Sequence, residues 1–222
     1  MANAAKKQPI IMISSTVYGV EELLERMYAV LTRFGYDVWC SHMGTVPTIS
    51  TLSAFENCIK AVQDCDLFLG LITPLYGSGV AGGDISITHQ ELLEAIKLNK
   101  PRWLLAHDHV VFARMLLRQL GHNTQEKREA LTLEPSQVID DLRVIDMYEA
   151  ATLNQVRFRD RKGNWVQKFV SDEDALRYAM AQFYRFQEVE RFLDEHLANP
   201  AGVMKRVGDD QAAAPAADGD PA

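Results

Sequence analysis

The chain has 222 residues, 47% of them hydrophobic, and a formal charge of −7, enough material for one α/β domain of ordinary size with added elements. That acidic balance argues against a nucleic-acid surface, which needs clustered lysine and arginine. No apolar stretch approaches the roughly 18–20 residues of a membrane span, so neither nucleic acid nor membrane is expected as a partner.

The N-terminal MANAAKKQP has two lysines but lacks the apolar segment of a secretory signal, and residues 1–8 read as disordered. Cys40, Cys58 and Cys65 have neither zinc-type nor CxxC spacing. Buried, inert, reduced thiols and a cytoplasmic location follow as expectations.

Residues 10–14 (IIMIS) read as a buried strand that runs into the polar turn Ser15-Thr16-Val17-Tyr18-Gly19. A helix follows with Leu23, Met27, Val30, Leu31 and Phe34 on one face. Its first turn carries Glu21 and Glu22, where the helix dipole favours acids. Gly35 ends it, and residues 36–40 (YDVWC) form a second strand. Ser53 and Glu56 have the spacing of a capping box at the start of a second helix, with Leu52, Phe55, Ile59 and Val62 as its inward stripe. The apolar run at 66–72 (DLFLGLI) has no polar alternation, so it predicts a strand buried on both faces at the centre of a parallel sheet. A glycine-rich loop over 76–84 leads to a helix over 88–99 with Leu92, Leu93, Ala95 and Ile96, which Pro101 stops before a strand at 102–106. Strands alternating with helices through short connections imply a parallel sheet covered on both faces.

Beyond residue 106 the pattern changes. Residues 110–120 are apolar-rich and helical in pattern, 122–134 are polar and read either as a mobile segment or as a partly helical excursion, and 138–153 suit a helix and a strand in succession. Residues 156–159 and 165–169 alternate around DRKGN, which predicts a β-hairpin. Ser171 and Asp174 cap a last helix reaching about His196, with Leu176, Met180, Phe183, Phe186, Val189 and Leu193 inward. From Pro200 the composition offers nothing to bury. The expected organisation is an α/β domain over 9–122, an extension over 123–198 packed on it, and a disordered tail over 199–222.

Four motifs bear on function. Residues 77–82 (GSGVAG) match GxGxxG, but residues separate them from both the strand and the helix that a dinucleotide fingerprint joins, so the loop reads as a lid or spacer. Ser14, Ser15 and Thr16 lie where the first strand becomes the first helix, either as an anion seat or as a simple helix cap. His107-Asp108-His109 follows the last clear strand; without supporting ligand spacing elsewhere it reads as a solvated loop, and neither metal nor cofactor is expected. Glu91 has two readings. With Thr88 as N-cap it completes a capping box; alternatively its carboxylate faces the crevice at the strands' carboxyl ends and serves a cation-like ribose carbon.

IIMISSTVYGVEELLERMYAVLTRFGYDV, CDLFLGLITPLYGS and SITHQELLEAIKLNKP together resemble a bacterial TIR-like domain family of unknown function, whose members often precede STAND-type signalling NTPases. The matched positions are 13–16, 65–78 and 86–101; Leu75 stands where members often carry arginine. The helix over 88–99 is also similar to that of nucleoside 2-deoxyribosyltransferases, where a nucleophilic glutamate is followed by alanine and Lys-Pro, as Glu91 is here by Ala95, Lys100 and Pro101. TIR domains that cleave NAD place a catalytic glutamate on a comparable helix. These resemblances imply a TIR-like, flavodoxin-like fold and an N-glycosidase pocket for NAD or a nucleotide, with Glu91 catalytic. Ser14, Ser15, Thr16, Thr73, Tyr76 and Ser86 are then expected around the substrate. They also imply a homo-oligomer and a role in bacterial defence or signalling. The alternative is a non-catalytic assembly module that recruits a protein partner.

Overall fold

A computed structural model describes residues 8–77, 85–153, 155–161 and 164–185. Its secondary elements all lie in one unit that ends at Tyr184; of the second unit, 185–222, only Arg185 is among the described residues. In chain order they are β1 (Ile10–Ser14), α1 (Glu21–Arg33), β2 (Asp37–Cys40), α2 (Ala54–Asp64), β3 (Leu67–Ile72), α3 (Ile87–Lys97), β4 (Arg102–His107), α4 (Asp108–Gln119), α5 (Gln125–Glu129), α6 (Arg143–Ala151), β5 (Asn164–Phe169) and α7 (Asp172–Phe183).

The strands form one parallel sheet in the order β2-β1-β3-β4-β5, the flavodoxin-like doubly wound arrangement. All six residues of β3 are buried, which is why the unbroken apolar run belongs in the middle. Ile10, Met12, Phe68, Ile72 and Leu104 join Val62 of α2, Leu92 of α3, Val110 of α4 and Ile145 of α6 in one core layer. On the other face α1 packs against α7, and Phe183 meets the rings of Tyr36 and Trp103 edge-on.

Three expectations change. Residues 164–169 are no hairpin arm: β5 runs parallel to β4 in register Arg102↔Asn164 to His107↔Phe169, and Phe158–Asp160 is a 3-10 turn. Alternation marks a strand but not its partner, and β4 offered a longer ladder than a local turn. The segment 138–153 contributes only a helix, α6, whose Val144, Ile145, Met147 and Ala151 are buried. In α7 the buried stripe is Ala175, Ala179 and Phe183, while Met180 is 39% exposed; small residues let this helix sit close to α1. The inward positions expected at Phe186, Val189 and Leu193 lie outside the described residues.

The second helix does carry the predicted capping box, with Ser53 and Glu56 bonded reciprocally. Its buried face is rotated, however, onto Asn57, Ala61 and Val62. Asn57 is buried because its amide answers the backbone of the preceding loop, accepting from Ile49 N at 2.7 Å and donating to Ile49 O, Leu52 O and Ser53 O. No helix among the described residues is long and apolar enough to cross a membrane.

Candidate functional site

The path from β1 to β2 runs through α1 and the path from β2 to β3 through α2, and these helices cover opposite faces, α1 with α7 and α2 with α3. The connections therefore part between β1 and β3, and a crevice opens at the carboxyl ends of those strands, the usual ligand position of such sheets. Ser14 and Gly70 are the last paired residues at that point.

α3 brings Glu91 to this crevice. Ser86, not Thr88, is the N-cap of α3, accepting from the His89 backbone N–H. The helix thus starts earlier than the hydroxyl-acid spacing suggested, and the Thr88–Glu91 capping box does not form. Glu91 lies in the second turn, is 5% exposed, and its Oε2 accepts a hydrogen bond of 2.5 Å from Ser14 Oγ. The Cys58 thiol of α2 is a second donor to the same carboxylate. Burial pushes the Glu91 carboxyl up to about 7, while the Ser14 and Cys58 donations pull it the other way. Burial and the neighbouring carboxylate push the Cys58 thiol up to about 12, so it acts as a donor and not as a thiolate.

Beside Glu91 lies a cleft of about 390 Å³, within the size range of small-molecule sites. Ser15 and Thr16 from the β1–α1 turn, Ser41 after β2 and Thr88 of α3 give it hydroxyls, and Cys58 and Ile87 add apolar wall. Tyr18, 63% exposed, stands at its rim. Gly77 closes the opposite side with φ +87°, and a Cβ there would come within 2.8 Å of Thr16 Oγ1. Only glycine combines that left-handed backbone with such an approach.

The expected site residues therefore separate. Glu91, Ser14, Ser15 and Thr16 come together at the cleft. Ser86 is fully buried as the cap of α3, and the Thr73 hydroxyl, also buried, turns back onto Leu75 O at 2.9 Å. Tyr76 is buried in a different polar group. Its hydroxyl lies 2.8 Å from His89 Nδ1 and accepts from Ser86 N–H at 3.2 Å, while Arg143 stacks over its ring at 4.6 Å. Burial, and then the Arg143 charge, hold His89 down to about 4, so it is a neutral imidazole. This second group fastens the start of α3 to the loop after β3. Cys58, Ser41 and Thr88 were missed as wall residues. Cys58 is half-buried rather than sequestered, and no local pattern pairs a helix cysteine with a glutamate 33 positions on.

His107, Asp108 and His109 form no loop. His107 ends β4 and caps α4, its Nδ1 accepting from His109 N at 3.2 Å, and Asp108 Oδ1 lies 3.2 Å from the same nitrogen. Their ligand-type atoms lie within 4.8 Å of one another, but the cap already uses the inner imidazole nitrogen.

Comparison with known proteins gave three findings. A family model described as "Domain of unknown function (DUF4062)" matches residues 10–197. A solved structure, described as a conserved protein from Enterococcus faecalis V583, is similar at 13% identity and a TM-score of 0.41, covering 79% of this chain and 99% of that one. Curated proteins gave no match. With the model spanning residues 10–197 of 222, the chain belongs to the DUF4062 family.

Proposed function

We propose that this protein is a TIR-like enzyme that cleaves or transfers at the N-glycosidic bond of NAD or a related nucleotide or nucleoside. The observation that carries this reading is Glu91: a buried carboxylate, held by a serine hydroxyl and a thiol, beside an open ribose-sized cleft at the sheet's switch point. A carboxyl group raised to about 7 by burial is poorly solvated as an anion, and a ribose carbon turning cation-like is the partner it lacks. In the reaction a Glu91 oxygen approaches C1′ as the C1′–N bond breaks, and the bonding pair leaves with the base. Nicotinamide, cationic while bound, leaves neutral and needs no proton, whereas the base of a neutral nucleoside takes its proton from solvent. Water (for hydrolysis) or a second base (for transfer) then displaces the carboxylate from C1′. Ser14 orients the attacking oxygen, and Ser15, Thr16 and Thr88 supply hydroxyls to the sugar.

Glu91→Gln keeps shape and hydrogen-bonding reach but removes the charge. With NAD and nucleosides as substrates and thermal melting as the fold check, it should release base on the order of a hundredfold more slowly or worse. Equal turnover by both proteins would remove Glu91 from the chemistry.

A second reading, an assembly module acting through a protein partner, is favoured by one feature. Phe112, Met115 and Leu116 of α4 and Leu120 at its C-cap are 62%, 51%, 42% and 64% exposed, an apolar stripe at helical spacing of the kind that marks interaction surfaces. Base release from no substrate, together with concentration-dependent self-association lost in Phe112→Ser, would favour this second reading over the enzyme.

A further inference from the structure

The charge distribution around the cleft selects among ribosides. Its walls are built from hydroxyl groups, apolar side chains and Glu91, and among the described residues that line it there is no lysine or arginine. In a doubly wound fold the natural phosphate seat is the turn from β1 into α1, where the first helical N–H groups point outward. Here that first turn carries Glu21 and Glu22, whose charges already answer the helix dipole. A phosphate at that turn would also share the cleft with the Glu91 carboxylate. Two carboxylates on the first turn of the helix and a third in the cleft, with no lysine or arginine among the described lining residues, make a poor anion site.

The features that remain suit the uncharged parts of a nucleoside. Ser15, Thr16, Ser41 and Thr88 match the hydrogen-bonding needs of ribose hydroxyls, and exposed Tyr18 at the rim offers a ring face to a base. Resting on the N-glycosidic reading above, we infer that the cleft takes unphosphorylated ribosides, nucleosides with a free 5′-hydroxyl, and rejects nucleotides and dinucleotides. NAD, which carries two phosphates, is then a poor substrate. A nucleoside with a positively charged base, such as nicotinamide riboside, is a good one because its leaving group begins the reaction opposite an anion.

The test uses the full chain with matched pairs: adenosine, uridine and nicotinamide riboside, each against its 5′-monophosphate, plus NAD. Released base is measured by chromatography, and binding of intact ligands to Glu91→Gln is measured by calorimetry. The expected result is a preference in kcat/KM on the order of a hundredfold for each nucleoside over its monophosphate, with the same order of affinities in the variant. Glu21→Gln should raise monophosphate turnover about two- to fivefold and leave nucleosides unchanged; an equal gain for both would overturn charge as the basis of selection. Turnover of NAD or monophosphates equal to that of nucleosides, still abolished in Glu91→Gln, would overturn this inference and leave the functional reading standing. No release and no binding with any member, or release undiminished in Glu91→Gln, would remove both.

Discussion

This protein withdraws carboxylates from solvent in two regions, half-buried in one and buried in the other, and it treats them differently. On the α4–α6 side, Asp146 and Glu149 are answered by Arg128, which is 3% exposed and bonds to both, and Arg114 reaches Glu149 at 3.0 Å. Burial opposes the charge on Arg128, but its two acidic partners more than restore it and hold the guanidinium above its ordinary value. At the cleft, Glu91 has a hydroxyl and a thiol as its partners among the described residues, and no cation. A buried ion pair with good geometry stabilises or positions structure; a buried acid whose charge no cation offsets is held in readiness for one. The contrast is the reason Glu91, and not the Arg128 cluster, is the residue proposed to act.

Breaking the compensated side should cost most. Arg128→Ala leaves the half-buried Asp146 without its cation and deprives Glu149 of one of its two, so denaturant unfolding should show a loss of about 3 kcal/mol, the lower end for breaking a buried pair. A loss below about 1 kcal/mol, the range of surface pairs, would mean the cluster is screened like an exposed one and the contrast is false.

The uncompensated side should show its cost in pH dependence. Between the ordinary carboxyl value of 4.5 and about 7, folded Glu91 keeps a proton that the unfolded chain has released. The stability tied to that proton is therefore complete below 4.5 and lost as pH rises through about 7. Glu91→Gln has no such proton, so its stability relative to the wild type should increase by about 3 kcal/mol across that window. Lowered acids such as Glu56 and Glu94 act alike in both proteins and cancel. A constant difference between the two unfolding curves from pH 4 to 8 would show that Glu91 titrates normally.

The smallest effect sharpens the comparison inside the site. Ser14→Ala removes the 2.5 Å donor from the ionised form, so the carboxyl should rise further. If the ionised acid is the reacting form, the rise of kcat/KM with pH should move about one unit to the alkaline side. Unchanged profiles with a raised KM would instead make Ser14 a substrate contact.

The strand and helix alternation up to residue 106 was legible because each element has a strong local signature: unbroken apolar runs for β1 and β3, a capping box at α2, and prolines and glycines at the ends. Glu91 was legible as a candidate, but whether it caps its helix or faces the crevice was not. Which residue caps α3 is a contest between Ser86 and Thr88, both hydroxyls, and local spacing favoured the wrong one. Packing decided it: the Tyr76 hydroxyl holds Ser86 N and lies against His89, which starts the helix earlier and turns Glu91 onto Ser14. The partner of β5 was hidden for a similar reason, since a strand's alternation says which face is wet and nothing about the strand beside it. The sequence by itself therefore determined a doubly wound α/β chain with a glutamate on the helix after its central strand, because burial and chain direction act locally. Only the tertiary structure decided that this glutamate faces a hydroxyl across 77 residues and meets no counter-charge among the described residues, because solvation and electrostatics depend on every element that packs around a group.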